Sequence, residues 1–195
     1  MRIITGSARG TKLEALEGEA MRPTGGRVKE AVFSMIQFDI EGRKVLDLFA
    51  GSGQLALEAL SRGAESAVII DSSAEAVEII KRNAKKTHLY DKCTISVMDY
   101  KAYLSRRSYD SGSANESGGF DIIFLDPPYK TDYLKKSLSM IASGRIAKPN
   151  SIIICESDHE DVFSGDEELA TKYRVLKKNR YGRLYITLLT PAYNA

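Results

Sequence analysis

The sequence predicts an α/β protein with a doubly wound, mostly parallel sheet of seven strands and a small N-terminal extension. Three observations support this fold class. Short apolar runs alternate with helical apolar patterns beyond residue 42, which is typical of βαβ units in a parallel sheet. A glycine-rich turn separates the first of these strands from its helix. The last two strands are joined by a short link that favours an antiparallel hairpin.

Apolar periodicity places the elements in order along the chain. The predicted strands are 43–49, 66–71, 93–98, 122–125, 151–155, 173–178 and 183–189. The predicted helices are 24–38, 55–60, 72–86, 101–105 and 132–143. Ser72 and Glu75 have the spacing of a capping box, which would open the third helix. Residues 106–119 are rich in Ser, Gly, Asp and Asn, which predicts an exposed loop.

The predicted organisation is an N-terminal extension over residues 1–42 and a main domain over residues 43–195. The extension combines short extended pieces with one helix, whose expected N-cap is Thr24. Apolar residues on that helix recur at helical spacing and form one stripe: Val28, Ala31, Val32, Met35 and Ile36. The extension is too small to fold alone. We therefore expect it to pack beside the entrance of the main site.

The composition excludes several classes of protein. A chain of 195 residues with 43% hydrophobic content can build one substantial core. It has no apolar stretch of membrane-spanning length and no signal-peptide pattern at its start, so a cytoplasmic location is expected. Cys93 and Cys155 lie alone in strand-like segments, which favours buried thiols over a disulfide or a zinc site. His88 and His159 are predicted to be ordinary surface residues, and no metal is expected.

The charges are segregated although the net charge is only +2. Residues 158–168 are rich in Asp and Glu, and residues 172–183 carry six basic side chains without an acid. A smaller basic group comprises Arg2, Arg9 and Lys12. Such runs usually form solvated faces. Beside a site that modifies a nucleobase, they would also suit contacts with phosphates.

The segment Asp126-Pro127-Pro128-Tyr129, directly after an apolar run, is the most informative motif of the chain. Neither proline can donate to a sheet, so the strand should stop at Asp126. The carboxyl ends of strands face the ligand crevice in open α/β sheets, which makes Asp126 a candidate reacting group. Pro127 leaves a carbonyl that can accept from a ligand, and Tyr129 offers a flat face for a base. The same residues also suit a plain strand end with Asp126 as a cap.

The turn after the first strand predicts a small-molecule site. Gly51 and Gly53 stand where a backbone approaches a ligand closely, and Asp71 follows about twenty residues later, as in dinucleotide-binding proteins. Asp47, however, places a carboxylate ahead of the turn, where it would repel a pyrophosphate. A cationic ligand without phosphate, such as S-adenosylmethionine, fits these residues better than a nicotinamide dinucleotide.

These motifs together resemble the class I methyltransferases that depend on S-adenosylmethionine. Residues 47–53 match the glycine motif of that class, Asp71 and Asp99 match the acids after the second and third strands, and residues 126–129 match the (D/N)PPY motif. The resemblance implies that Asp71 holds the ribose hydroxyls and Asp99 meets the adenine amine. The implied cofactor-binding residues are Asp47, Phe49, Ala50, Gly51, Gly53, Asp71, Ser72, Asp99, Tyr100 and Asp126. Asp71 as a helix cap and Asp99 as a turn residue are the alternatives.

The N-terminal region resembles the bacterial 16S ribosomal RNA guanine methyltransferases of RsmD type. The resemblance rests on Arg2-Ile3-Ile4-Thr5-Gly6 and on the block that runs from Arg22-Pro23-Thr24 through Arg27-Val28-Lys29 to Ser34. It implies methylation of the exocyclic amine (N2) of a guanine, with Asp126, Pro127 and Tyr129 as catalytic residues. The expected partner is 16S ribosomal RNA or the assembling small subunit, and the protein is expected to be a monomer. The residues expected to bind RNA are Arg22, Thr24, Arg27, Lys29 and Arg180.

Three other functions remain compatible with parts of the sequence. Methyltransferases that act on DNA adenine or on a protein glutamine can also use a (D/N)PPY motif, and only the N-terminal block argues against them. A non-catalytic RNA-binding assembly factor would not need all four acids at positions 47, 71, 99 and 126. A nicotinamide oxidoreductase would need a pyrophosphate site that Asp47 opposes.

Overall fold

The computed structural model describes residues 1–16, 25–111 and 119–192. The chain forms two compact units, Met1–Met98 and Asp99–Ala195. Their strands make up one mixed sheet of seven strands. The predicted fold class, α/β with a mostly parallel sheet and antiparallel last strands, is confirmed.

The first unit contributes three parallel strands in the order β3-β2-β1. Its elements in chain order are α1 (Gly25–Met35), β1 (Lys44–Asp47), α2 (Gln54–Ser61), β2 (Ser66–Asp71), α3 (Ala74–Lys86) and β3 (Cys93–Val97). Each strand is followed by a helical segment, because apolar strand residues give way to amphipathic stretches that begin at a turn. Asp47 ends β1 and pairs with Ile69 of β2, and Asp71 ends β2 two residues further on, so both acids stand at the carboxyl ends of their strands.

The second unit contributes four strands in the order β4-β5-β7-β6. Its elements are α4 (Tyr100–Ser111), β4 (Phe120–Leu125), α5 (Tyr133–Ser143), β5 (Ala147–Ser157), α6 (Glu167–Thr171), β6 (Tyr173–Tyr181) and β7 (Leu184–Pro191). β4 and β5 are parallel, whereas β7 runs antiparallel to both β5 and β6. Every residue of β4 is buried, which explains why its sequence is a continuous apolar run without alternation.

Several predicted boundaries differ from the structure, each for a local reason. The N-cap of α3 is Ser73 and not Ser72, because the Ser73 hydroxyl accepts from the Ala76 amide at 3.2 Å. α4 extends to Ser111, although residues 106–111 were expected to belong to a loop. α1 ends at Met35, three residues before the predicted end at Phe38. The predicted cap Thr24 and half of the predicted loop, residues 112–118, lie outside the described residues.

The segment before α1 is held on the surface of α2 by a buried carboxylate. Glu58 has no exposed surface, and it accepts from the amides of Ile4 at 2.8 Å and Thr5 at 3.0 Å. Its charge is met by Arg62 at 2.9 Å and by Lys29 at 3.3 Å. The amide donors and the two cations supply the partners that a buried carboxylate requires.

Gly6 allows the N-terminal segment to lie directly against the end of α2. Its φ is +90°, and a Cβ atom at this position would be 1.7 Å from the Ser61 carbonyl oxygen. The neighbouring Ser7 amide donates to that same carbonyl at 2.8 Å. The Ser61 hydroxyl in turn donates to the Thr5 carbonyl at 2.6 Å and accepts from the Ala8 amide at 3.0 Å. A side chain at position 6 would break this close approach.

Candidate active site

The turn between β1 and α2 is built around backbone conformations that favour glycine. Gly51 and Gly53 have φ of 55° and 77°, and the Gly53 amide donates to the Ala50 carbonyl at 2.7 Å. A Cβ on Gly53 would lie 3.2 Å from the side chain of Ile80 on α3, which leaves little room for a larger residue. Asp47 is buried just before the turn, and its Oδ2 accepts from the Ala56 amide at 3.3 Å. The turn therefore presents backbone, not side chains, at the carboxyl end of β1.

Asp71 organises this turn from the neighbouring strand. One of its carboxylate oxygens accepts from the Gly51 amide at 2.8 Å and the other from the Ser73 amide at 2.8 Å. The first bond fixes the glycine turn, and the second fixes the entry into α3. A carboxylate has about four acceptor sites, so these two bonds leave capacity for ligand hydroxyls. Ser72, the next residue, is exposed.

Asn83 joins the N-terminal segment to the glycine turn. This residue of α3 is fully buried, and its amide nitrogen donates to the carbonyls of Ser52 and Glu14, both at 3.0 Å. Its oxygen accepts from the Glu14 amide at 2.8 Å. Arg82 adds an ion pair with the Glu14 side chain at 2.8 Å. Both polar atoms of the Asn83 side chain thus bond to backbone, and together they link the glycine turn to the N-terminal segment.

Asp99 and Tyr100 begin the second unit. Asp99 is exposed and caps α4, because its Oδ1 accepts from the Lys101 amide at 2.8 Å. Tyr100 is buried, and its ring centroid is 5.0 Å from that of Tyr133. The capping bond engages one oxygen of Asp99 and leaves the other carboxylate oxygen outside that bond.

The end of β4 carries the predicted reacting group. Asp126 is half-buried, Pro127 is buried and Pro128 is exposed. The Pro128 carbonyl accepts from the Thr131 hydroxyl at 2.7 Å, which turns the chain toward α5. Tyr129 is half-buried, and its hydroxyl donates to Glu156 Oε1 at 2.7 Å. As predicted, the strand stops at Leu125, directly before Asp126.

A groove lies beside this motif within the second unit. It is lined by the motif residues 127–129, by residues 130–132, 134 and 135, by Glu156 and Ser157 at the end of β5, and by residues 158, 159, 161, 162 and 164 beyond that strand. Apolar contributions come from Pro127, Leu134 and Val162, and most of the other lining side chains are polar or charged, among them Glu156 and Thr131. The ring of Tyr129 gives this largely polar groove one aromatic face.

The basic residues predicted to bind RNA differ in their environments. Arg27 and Arg180 are exposed, whereas Arg22 and Thr24 lie outside the described residues. Lys29 is only 4% exposed, and its ammonium group contacts Glu58 and donates to the Arg2 carbonyl at 2.7 Å. Burial lowers the pKa of Lys29, and the charge of Glu58 opposes this shift. The prediction that Lys29 contacts RNA is therefore corrected, because its charge is directed into the protein.

The acidic and basic runs of the sequence partly pair in space. Lys178 of β6 lies 3.7 Å from Glu160, and Lys172 lies 3.0 Å from Glu168. Arg180 is not part of these pairs; its guanidinium stacks over the ring of Tyr185, 5.5 Å from the centroid. Lys172 and Lys178 of the basic run are thus paired with acidic residues. Arg180 remains as an exposed cation near the end of that run.

The remaining reactive side chains have structural surroundings. Cys155 is buried and Cys93 half-buried, and burial raises the pKa of Cys93 to about 12, so this thiol is inert at neutral pH. His88 and His159 are exposed, as predicted. Within residues 1–16, 25–111 and 119–192, no group of His, Cys, Asp and Glu has the arrangement of a metal site. In the same ranges, no helix has the length and apolar content needed to cross a membrane.

Sequence analysis missed three polar residues that matter in the structure. Glu156 had a usable signal, because it follows a predicted strand as Asp126 does. Glu58 and Asn83 had a weaker signal, since each lies among the buried positions of an amphipathic helix. Thr5, whose amide donates to Glu58, is 53 residues away from it in sequence, and Ser52, whose carbonyl accepts from Asn83, is 31 residues away. Such contacts cannot be deduced from local patterns.

The strand order, the glycine turn after β1 and the acids at strand ends define the fold of the class I methyltransferases. The chain belongs to the family described as Conserved hypothetical protein 95, whose model matches residues 1–190. It is 39% identical to the "Putative rRNA methyltransferase YlbH" of Bacillus subtilis over 82% of this chain and 84% of that protein. It is 33% identical to ribosomal RNA small subunit methyltransferase D of Haemophilus influenzae, over 82% of this chain and 80% of that protein.

Solved structures show the same relationship. The solved structure described as "Putative methyltransferase yhhF from Escherichia coli" superposes with a TM-score of 0.80 at 26% identity, over 98% of this chain and 97% of that chain. The match extends over the whole chain, so the predicted resemblance to methyltransferases of RsmD type is confirmed for the family and the fold.

Proposed function

We propose that this protein transfers a methyl group from S-adenosylmethionine to the exocyclic amine, N2, of a guanine in small-subunit ribosomal RNA. Relatives named as small-subunit ribosomal RNA methyltransferases support the RNA substrate. The observation that carries the choice of a planar amine is the Asp126-Pro127-Pro128-Tyr129 segment at the end of β4. Its acid, its carbonyls and its aromatic ring are the groups that such an amine requires.

The residues of the first unit fit the methyl donor. The glycine turn exposes backbone without side chains, as a closely bound ligand needs. Asp47 and Asp71 bring negative charge to a ligand that has an ammonium and a sulfonium group but no phosphate. We assign the ribose hydroxyls to Asp71 and the methionine part to the turn formed by residues 47–53, with Phe49 and Ala50. When bound, S-adenosylmethionine supplies an electrophilic methyl group.

The adenine part of the cofactor is assigned to residues around the start of α4. Asp99 is exposed and has a carboxylate oxygen outside its capping bond, which suits the adenine amine. Tyr100 and Ser72 complete the proposed set of cofactor-binding residues.

Asp126 and Pro127 act on the amine of the substrate. The lone pair of a guanine amine is delocalised into the ring, so nucleophilic attack is favoured when acceptors hold the amine hydrogens and make the nitrogen pyramidal. The Asp126 carboxylate and the Pro127 carbonyl are such acceptors. Asp126 also stabilises the positive charge that develops on nitrogen, and the departing proton passes to it or to water. No metal is needed for these steps.

Tyr129 provides the face on which the base stacks and aligns its amine for in-line transfer. Base pairing hides this edge of guanine, so the target nucleotide is single stranded or flipped out of a helix. Arg27 and Arg180, both exposed, contact RNA phosphates. Arg22 and Thr24 are assigned to the same role from the sequence motif alone.

The proposal is tested by a methyl transfer assay with labelled S-adenosylmethionine on separated RNA, DNA and protein fractions. Label in 16S ribosomal RNA, and its location at guanine N2 by mass mapping, is the expected result. Label in DNA or protein would identify one of the alternative methyltransferases instead. No label in any fraction, with cofactor binding intact, would favour the non-catalytic assembly factor.

Asp126→Ala gives the corresponding variant test. We expect methyl transfer to fall by at least about a hundredfold, the size of an electrostatic or acid-base contribution. The affinity for S-adenosylmethionine, measured by calorimetry, should change little. Asp121→Asn removes a carboxylate from the other end of β4, where Asp121 pairs with Lys148 at 2.9 Å, and serves as the control. Normal turnover in the Asp126 variant would refute the proposed role.

A further inference from the structure

We infer that Glu156 is a positioning residue of the proposed site, which holds the Tyr129 hydroxyl and thereby fixes the ring on which the target base stacks. The inference rests on the proposed function, because it concerns the residue assigned to stacking. It adds a residue that neither the sequence motif nor the family relationship identifies. The contact that carries it is the hydrogen bond of 2.7 Å from the Tyr129 hydroxyl to Glu156 Oε1.

Glu156 is itself firmly placed by the sheet. It belongs to β5 and pairs with Ile186 of β7. It directly follows Cys155, which pairs with Leu125, the last residue of β4. Asp126 and Glu156 are therefore each the next residue beyond the same pair in a parallel register. The sheet thus sets the position of the Glu156 backbone independently of the residues that follow β4.

Tyr129, in contrast, lies in the connection between β4 and α5, outside any helix or strand. Its ring has two rotatable side-chain bonds, and a stacking surface is useful only if both are fixed before the base arrives. The hydrogen bond links this ring, at its far end, to the ordered strand β5. A carboxylate is a strong acceptor for a hydroxyl, and the short distance is typical of a charge-assisted bond.

Both residues line the same groove, whose lining begins at Pro127, directly after the proposed reacting group Asp126. Two prolines precede the tyrosine and restrict the backbone on one side. The Thr131 hydroxyl, bonded to the Pro128 carbonyl, restricts it on the other. Glu156 supplies the remaining constraint, which acts on the side chain. These three constraints together fix the position of the ring before substrate binds.

A double-mutant cycle with Tyr129→Phe and Glu156→Leu tests the inference. Each single change removes the bond and keeps the aromatic ring, so we expect each to lower kcat by about tenfold to a hundredfold, the worth of a hydrogen bond to a charged group. The KM for S-adenosylmethionine should stay unchanged. The double variant should be no worse than either single variant, since both remove the same interaction. Glu156→Gln, whose amide oxygen still accepts, should retain most of the activity.

The controls separate the inference from the proposed function and from misfolding. Glu160→Gln removes a charge from an exposed residue of the same region and should leave kcat unchanged. If the unaltered protein methylates no RNA, the proposed function fails. If it is active and Tyr129→Phe equals it, or if the two single losses simply add, the positioning role is refuted. Should Glu156→Leu fail to fold, Tyr129→Phe and Glu156→Gln still probe the bond from both sides.

Discussion

Asp71 illustrates how one side chain serves both the fold and the proposed cofactor site. Its two oxygens accept from the Gly51 and Ser73 amides, so the conformation of the glycine turn depends on it. The two interpretations from sequence, a helix-capping residue and a ligand-binding acid, are therefore compatible. We propose that the same carboxylate also accepts from a ligand bound at that turn.

We expect Asp71→Ala to weaken binding of S-adenosylmethionine by about tenfold or more, because it removes both the ligand contact and the support of the turn. Asp71→Asn keeps one acceptor and should have an intermediate effect. Calorimetric titration measures both. Glu75→Gln, an exposed acid in the first turn of α3, is the matched control. Unchanged affinity in Asp71→Ala would show that the cofactor does not contact the end of β2.

The position of a residue was predictable from sequence where the local pattern sets its environment. Asp126 was placed at a strand end by the apolar run before it and the prolines after it, and β4 does end at Leu125. Lys29 was not predictable in this way. Its neighbours in sequence resemble an RNA-binding block, yet its burial depends on Glu58, which is 29 positions away by residue number.

At the scale of elements, the contact between α2 and the N-terminal segment distinguishes this chain from a bare α/β sheet. Glu58 is a charged residue in the middle of the buried face of α2. Removal of one member of a buried ion cluster leaves the others without compensation, which costs more than the cluster itself contributes. The segment and the helix are consequently expected to be stable only together.

Glu58→Gln should lower the free energy of unfolding by about 3–5 kcal/mol, the usual cost of breaking a buried charge pair. Urea denaturation followed by circular dichroism gives this value. Glu65→Gln changes an exposed acid just before β2 and should alter stability by less than about 0.5 kcal/mol. A similar, small effect for both variants would mean that Glu58 does not hold the N-terminal segment.

The elements also show where pattern-based prediction fails. The long helix α4 was predicted to end at residue 105, because the residues that follow are polar and rich in Ser. Propensity is a weak guide there, because tertiary contacts also act on the extended part, where the Arg107 guanidinium lies 5.4 Å from the centroid of the Phe120 ring. α6 was not predicted, because its five residues lie in an acidic run and are too few to give a periodic signal.

For the whole molecule, the alternation of strands and helices was sufficient to predict the fold class. The observed sheet has the predicted number of strands and the predicted antiparallel pair at its end. The division into an extension of 42 residues and a main domain remains a prediction, whereas the compact units in the structure meet at Met98 and Asp99. Sequence patterns locate elements well, but they do not show which surfaces those elements bury.

Charge distribution over the whole molecule gives a prediction for RNA binding. Arg27→Ala and Arg180→Ala should each weaken binding to ribosomal RNA fragments and reduce the slope of log affinity against log salt by about 0.7–0.9. Filter binding at several salt concentrations measures the slope. Lys86→Ala removes an exposed cation at the end of α3 and serves as the control. If the arginine variants and the control share one slope, these arginines do not contact phosphates.

The bonds that Glu58, Ser61 and Asn83 make with the N-terminal segment have a consequence for the order in which the protein opens. The amides of Ile4, Thr5, Ala8 and Glu14 all donate to these side chains. Chain ends normally exchange their amide hydrogens with water rapidly, because they unfold locally while the rest of the protein stays folded. Here those hydrogens can exchange only when the segment detaches from the side chains of Glu58, Ser61 and Asn83. Deuterium labelling should therefore reveal one cooperative unit that includes the first residues of the chain.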